Sequence, residues 1–346
     1  MPLCCTDCFN DTAIKQKIKD LGNIGYCSYC GGERVACVSP DKISDKFEFF
    51  SYCIEKNENA SESYANLIQE QFHLFNNNIR NLNDLITDIL GREYSTPTFK
   101  FKHDYNKHLE LWTDFKDELK FRNRFFPNNS LYSTIFNYSK GSDAIFLELL
   151  GQLTRPLYAG RRELFRARIS DKRLEAKDLH MPPPGSASGG RANPVGISYL
   201  YLAENIKTCI AEVRPSNSSS IWISSFELNK DLNVLDLTSP KKSVTVTSFE
   251  GDSVEEIINY VNLLENLSTE LSKPILPDKS SIDYLPTQFI CEFIKSVGKY
   301  DGIIFKSSFG EGNNFVFYSQ EHFTITQPEL FSVTRTTHEF SKQQLE

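Results

Sequence analysis

The sequence predicts an α+β chain in three parts: a cysteine-rich N-terminal knuckle, a helical middle and a C-terminal mixed β-sheet domain with helices. Three observations carry this. Six of the nine cysteines fall within the first 37 residues. Apolar residues between 64 and 119 recur with helical spacing. From about Leu164 the pattern changes to short alternating or β-rich runs separated by turn residues.

The composition sets the frame. With 346 residues, 40% hydrophobic and 24% charged, the chain is long enough for two or three domains with real cores. Phe is frequent at 26 and Met scarce at 2, which predicts aromatic cores. A formal charge of −7 argues against coating nucleic acid through the overall field. No apolar run nears the roughly 20 residues that span a bilayer, and the start Met1 to Cys8 has neither the basic nor the apolar region of a signal peptide. The expected location is therefore the reducing cytoplasm, where cysteines act as thiols and ligands, not disulfides.

The N-terminal knuckle rests on Cys5-x-x-Cys8 and Cys27-x-x-Cys30, eighteen residues apart. Each pair offers two thiolates from one turn, and two pairs complete the tetrahedron that Zn²⁺ favours. Gly31 and Gly32 suit the tight turn after the second pair. Cys4 is a rival to Cys5, and Cys37 is a spare. Four cysteines leave no open coordination position, so a zinc ribbon or knuckle of this kind is structural, not catalytic.

The helical middle follows from two sets and a third run. Tyr64, Leu67, Ile68 and Phe72 form one stripe; Leu82, Leu85, Ile86, Ile89 and Leu90 form the next; Leu109, Trp112 and Leu119 continue the pattern. Pro97 and Pro127 lie in the breaks. Beyond, strands are expected over 164–169, 199–203, 221–228, 234–237, 302–305 and 314–318, and helices over 205–213, 253–267 and 286–297. The run from Met181 to Gly190, with three prolines, can continue neither regular structure and reads as a loop. The expected domains are 1–45, 46–155 and 156–335.

The candidate chemistry lies in the C-terminal half. Arg155, Arg161, Arg162, Arg166, Arg168, Lys172 and Arg173 face only Glu163 and Asp171, a basic inversion in an acidic chain. On a strand, Leu164, Arg166 and Arg168 share one face and Phe165, Ala167 and Ile169 the other. Arginine on such a strand suits a phosphate or pyrophosphate site, since guanidinium grips those groups bidentately; a solvated edge strand is the plain alternative. Glu212 sits among Ile210, Ala211 and Val213, where a carboxylate is either paired with an arginine or held for chemistry.

Taken together, these residues resemble a known family. Leu164-Phe165-Arg166, Gly190-Arg191-x-Asn193-x-x-Gly196, Tyr201-Leu-Ala203 and Ala211-Glu212 are similar to the RES domain, in that order. So are Asp236-Leu237-Thr238, Thr287-Gln288, the segment Gly302 to Ser308 and the segment Asn313 to Phe317. The cysteine pairs and the helical block ending in Arg122, Arg124, Phe125 and Phe126 resemble the zinc-bearing HEPN/RES N-terminal module. The resemblance implies an ADP-ribosyltransferase-like sheet and a toxin that destroys NAD⁺ by phosphorolysis or hydrolysis of the nicotinamide–ribose bond.

It further implies a catalytic set of Arg166, Tyr201, Glu212 and Ser307, with Arg166, Ser188 and Arg191 contacting NAD⁺ as substrate. Shorter relatives carry a tyrosine directly before the Gly-Gly-Arg; here Ser188 stands there, which leaves Tyr201 as the aromatic candidate. Implied partners are NAD⁺, inorganic phosphate and a neutralising antitoxin or regulatory protein; a homo-oligomer is left open and a membrane is not expected. Two other readings stand beside this one. A protein ADP-ribosyltransferase uses the same glutamate, although Ile210 occupies the place where some transferases carry a second acid. A zinc/HEPN module that senses or cleaves nucleic acid is the other. Cleavage is disfavoured, because the nearest arginine before His103 is Arg92, eleven positions away, not the four to six typical of HEPN ribonucleases.

Overall fold

A computed structural model describes residues 2–137, 143–249, 251–275 and 280–336. The chain divides into two compact units, one built from Met1–Leu153 and Ser239–Asn266, the other from Thr154–Thr238 and Leu267–Glu346. Among the described residues no helix is long and apolar enough to cross a membrane.

The first unit begins with strands β1 (Cys4–Cys5), β2 (Asn23–Tyr26) and β3 (Glu33–Val38), an antiparallel sheet with β3 in the middle. Asp11 starts the helix Thr12–Leu21 by accepting from the Ala13 and Ile14 amides, each at 3.0 Å, which satisfies donors a helix leaves open. The helical stripes read from the sequence are the helices Tyr64–Phe72 and Leu82–Leu90, capped by Ser63 and Asn81. Lys107–Asp117 runs on into a π-helical turn, Glu118–Arg122, which buries Leu119 in register with Trp112 and Phe115. Strands β4 (Ile54–Lys56) and β5 (Phe99–Phe101) pair antiparallel beside them. The core is aromatic, with Phe47, Phe50, Phe72 and Phe75 in mutual ring contact or linked through it.

The return of Ser239–Asn266 to this unit has a physical cause. Ile257, Ile258, Tyr260, Val261 and Leu264 are buried, on the helix Val254–Ser272. Tyr260 stacks on His108 with ring centroids 4.5 Å apart and meets Phe146 edge-on at 5.4 Å. Asn262 accepts from the Gln71 amide at 2.7 Å and donates to the Tyr105 carbonyl at 2.9 Å. Asp11 accepts from the Thr247 hydroxyl at 2.7 Å. A division in chain order at 156 groups these residues with the C-terminal half. Helical spacing identifies the buried face but not what it packs against.

The second unit is a mixed sheet of nine strands among the described residues: β6 (Thr154–Leu157), β7 (Glu163–Ile169), β8 (Leu200–Ala203), β9 (Ser220–Leu228), β10 (Leu232–Asp236), β11 (Gly302–Lys306), β12 (Asn313–Phe317), β13 (Phe323–Ile325) and β14 (Glu329–Ser332). The order is β13-β9-β7-β8-β12-β11-β10-β6, with β14 also on β9. Among these strands β10 and β11 are the parallel pair, and such a pair requires a long crossover. One face buries Leu164, Leu200, Leu202, Phe226, Ile304 and Phe315, each contributing about 1.5–3 kcal/mol by removal from water. The other carries Phe165, Ala167, Ala203 and Ile223 against the helix Ile206–Val213. Period-two alternation along β7 therefore sends Leu164 to one core and Phe165 and Ala167 to the other.

Candidate active site

Glu212 lies in the last turn of the helix Ile206–Val213. Asn205 caps that helix, accepting from the Thr208 amide at 2.9 Å. The turn after β11 is anchored at the same end: the Thr208 hydroxyl donates to the Glu311 carbonyl at 3.0 Å. Gly310 allows the approach, since a Cβ there would sit 2.9 Å from the Thr208 Cα. This packing brings Ser307 to Glu212. The Ser307 hydroxyl donates to Glu212 Oε1 at 2.5 Å, and the Asn314 amide on β12 donates to the same oxygen at 2.7 Å. Ser307 Oγ in turn accepts from the Gly310 and Phe309 amides at 3.0 and 3.2 Å. Among the described residues Glu212 has no ion-pair partner, and Oε2 accepts no hydrogen bond. Of the two roles open to this carboxylate in the sequence, pairing with an arginine is not the one observed.

Arg166, Arg191, Tyr201, Glu212 and Asn314 line one cleft of about 350 Å³, together with Arg214, Tyr284 and Phe309. Arg166 is half-buried: desolvation, aided by the neighbouring Arg168, lowers its pKa to about 10, and among the described residues its buried Nη1 has no hydrogen-bond partner. A buried guanidinium nitrogen without an acceptor favours an anion. Arg191, 9% exposed, is tied differently. It donates through Nη1 to the Ser308 hydroxyl at 2.6 Å and to the Leu271 carbonyl, near the C-terminal end of the helix Val254–Ser272, where positive charge is favoured.

The loop carrying Arg191 is held from several sides. Thr287 donates to the Arg191 carbonyl at 2.7 Å and Gln288 to the Gly190 carbonyl at 2.8 Å. The Tyr201 hydroxyl donates to Asn193 Oδ1 at 2.7 Å and accepts from the Ala192 amide at 3.0 Å, and burial pushes its pKa up. Gly190 leaves room for this contact, as a Cβ would come within 2.8 Å of the Tyr201 hydroxyl. The hydroxyl of Tyr201 is thus taken up by the loop, while the residue also lines the cleft. Ser188 is exposed, accepts from Asn193 Nδ2 through its carbonyl at 3.1 Å, and is not among the residues lining the cleft. Asn314, Arg214, Tyr284 and Phe309 were not singled out by sequence reasoning; Asn314 stood inside a quoted motif, but its amide offered no chemical signal of its own.

In the first unit, Cys5, Cys8, Cys27 and Cys30 bring their sulfurs within 4.8 Å of one another. Sγ separations are 3.9 Å for Cys5–Cys8, 3.5 Å for Cys5–Cys30 and 3.4 Å for Cys8–Cys27. A tetrahedron of thiolates around Zn²⁺ has edges of about 3.8 Å. Gly31, at φ 78°, closes the second turn. Cys4 lies outside this cluster: its thiol turns to the Val38 carbonyl at 3.6 Å, as expected where successive residues of a strand point to opposite sides.

A family model described as "RES domain" matches residues 163–337. No curated protein matches. Among solved structures, the M. tuberculosis MbcT–MbcA toxin–antitoxin complex is similar at 15% identity, over 56% of this chain and 93% of that chain, with a TM-score of 0.33.

Proposed function

Because the chain belongs to the RES-domain family, we propose that it degrades NAD⁺ by phosphorolysis or hydrolysis of the nicotinamide–ribose bond and acts as a toxin that depletes the dinucleotide. The observation that carries this reading is the Glu212 carboxylate, fixed through Oε1 by Ser307 and Asn314 in a cleft whose other charged side chains are Arg166, Arg191 and Arg214. Three cations against one acid suit a substrate carrying a diphosphate.

Cleavage of an N-glycosidic bond builds oxocarbenium character on the ribose, as in glycoside hydrolysis. Glu212 offers its unengaged Oε2 to a ribose hydroxyl and stabilises positive charge as it develops. Ser307 and Asn314 hold that carboxylate in place, so little reorganisation accompanies the reaction. Arg166 meets the diphosphate with its unpartnered nitrogen, and Arg191 borders the same path. Nicotinamide leaves as a neutral molecule. Tyr201 contributes by fixing the Gly190–Asn193 turn. In this reading the second unit has an ADP-ribosyltransferase-like sheet, and the helices of 46–155 form a HEPN-like block. The N-terminal cysteines hold a structural Zn²⁺, and a neutralising partner restrains the activity.

The test is direct. Purified protein is incubated with NAD⁺, with and without inorganic phosphate, and the products are identified by mass. Free nicotinamide with ADP-ribose indicates hydrolysis; nicotinamide with a phosphorylated ADP-ribose indicates phosphorolysis. Intact NAD⁺ under both conditions overturns the reading.

A further inference from the structure

The cleft holds a contact between two side chains that the chemistry above does not use. Phe309 is 37% exposed and lines the cleft. Its amide is bound to Ser307 Oγ at 3.2 Å, the same hydroxyl that donates to Glu212, so its backbone is held beside that carboxylate while the residue lines the same cleft. The guanidinium carbon of Arg214 lies 5.0 Å from the centroid of the Phe309 ring. Among the described residues Arg214 makes no side-chain hydrogen bond or ion pair, so the ring is its one described partner. Arg214 also ends the helix in the left-handed region, φ 48° and ψ 59°, a conformation disfavoured for any residue with a side chain.

We infer that Phe309 is the face on which the pyridinium ring of the substrate stacks, and that Arg214 covers this face as a cationic stand-in until substrate arrives. The inference rests on the reading of the cleft as an NAD⁺ site. Its basis is chemical likeness. Guanidinium and pyridinium are both planar, delocalised cations, and both are attracted by the negative face of an aromatic ring. Phe309 supplies an aromatic surface in the cleft from the turn that also carries Ser307. Displacing Arg214 frees its charge for the diphosphate. After bond cleavage nicotinamide is neutral, the attraction to the ring falls, and the leaving group is released. NADH, whose dihydropyridine ring is uncharged, lacks the attraction from the start.

The experiment uses the full chain carrying Glu212→Gln, so that NAD⁺ is bound while its turnover is slowed on the order of 10²-fold or more. Dissociation constants for NAD⁺ and for NADH are measured by calorimetry with Phe309 intact, with Phe309→Leu and with Phe309→Trp, and melting temperatures establish that each is folded. The expected result is a preference for NAD⁺ of about 5- to 30-fold with Phe or Trp at this position, collapsing towards parity in Phe309→Leu. An unchanged preference in folded Phe309→Leu overturns the stacking assignment and leaves the NAD⁺ reading standing. A folded Glu212→Gln protein that binds neither nucleotide overturns both.

Discussion

The hydroxyl of Ser307 donates to Glu212 Oε1 at 2.5 Å, joining the turn after β11 to the end of the helix Ile206–Val213 across 95 residues of sequence. Asn314 donates to the same oxygen. Both bonds fall on one side of the carboxylate, which leaves the other oxygen for a substrate.

Asn314 should therefore act as a positioning residue. Asn314→Ala is expected to lower kcat by about 10- to 100-fold through loss of orientation, with little change in melting temperature. Asn314→Asp keeps the size but places a second carboxyl at hydrogen-bond distance from Glu212. Like charges so close leave one of the two protonated, so the activity of this variant should rise with pH over a range where the parent is flat. Parallel pH–rate profiles for Asn314→Asp and the parent would assign Asn314 to packing alone.

The arginines should separate sharply. Arg166 is half-buried and, among the described residues, has a buried nitrogen without an acceptor, whereas Arg173 is exposed beyond the end of β7. Arg166→Lys should lose most NAD⁺ turnover, because a point charge does not reproduce the bidentate fork; Arg173→Lys should stay close to the parent. Equal losses measured at the two positions would indicate a diffuse basic surface.

The cysteine cluster predicts about one Zn²⁺ per chain by elemental analysis. Cys27→Ser should lower the metal content and the melting temperature, whereas Cys4→Ser should keep the metal, since Cys4 bonds to the Val38 carbonyl. Metal-free protein from zinc-replete medium, or equal metal loss in both variants, would contradict the assignment.

Much of this was legible in the sequence because it depends on local pattern. Alternation along 164–169 gave β7 within one residue, and helical spacing gave Tyr64–Phe72 and Leu82–Leu90. Spacing also gave the four cysteines, and the structure decided between Cys5 and Cys4 by the direction in which each points. What depends on distant contacts was not readable. Strand β6 is not among the expected strands and contains Pro156, a residue disfavoured within strands but tolerated at the edge of the sheet, where β6 lies. The packing of Ser239–Asn266 with the N-terminal unit follows from Tyr260 meeting His108 and Phe146, and no spacing encodes that. Tyr201, the aromatic candidate by family resemblance, lines the cleft, but no spacing encodes that its hydroxyl is bonded to Asn193 and Ala192.

Glu212 is proposed to stabilise the developing ribosyl cation. The measurement is NAD⁺ turnover and melting temperature on the same preparations of parent and Glu212→Gln protein. Glu212→Gln keeps the size of the side chain and removes its charge. Removing the charge is expected to lower the rate on the order of 10²-fold or more, with NAD⁺ binding largely retained, because the interaction strengthens mainly in the transition state. A well-folded Glu212→Gln protein that consumes NAD⁺ at the parent rate would contradict it.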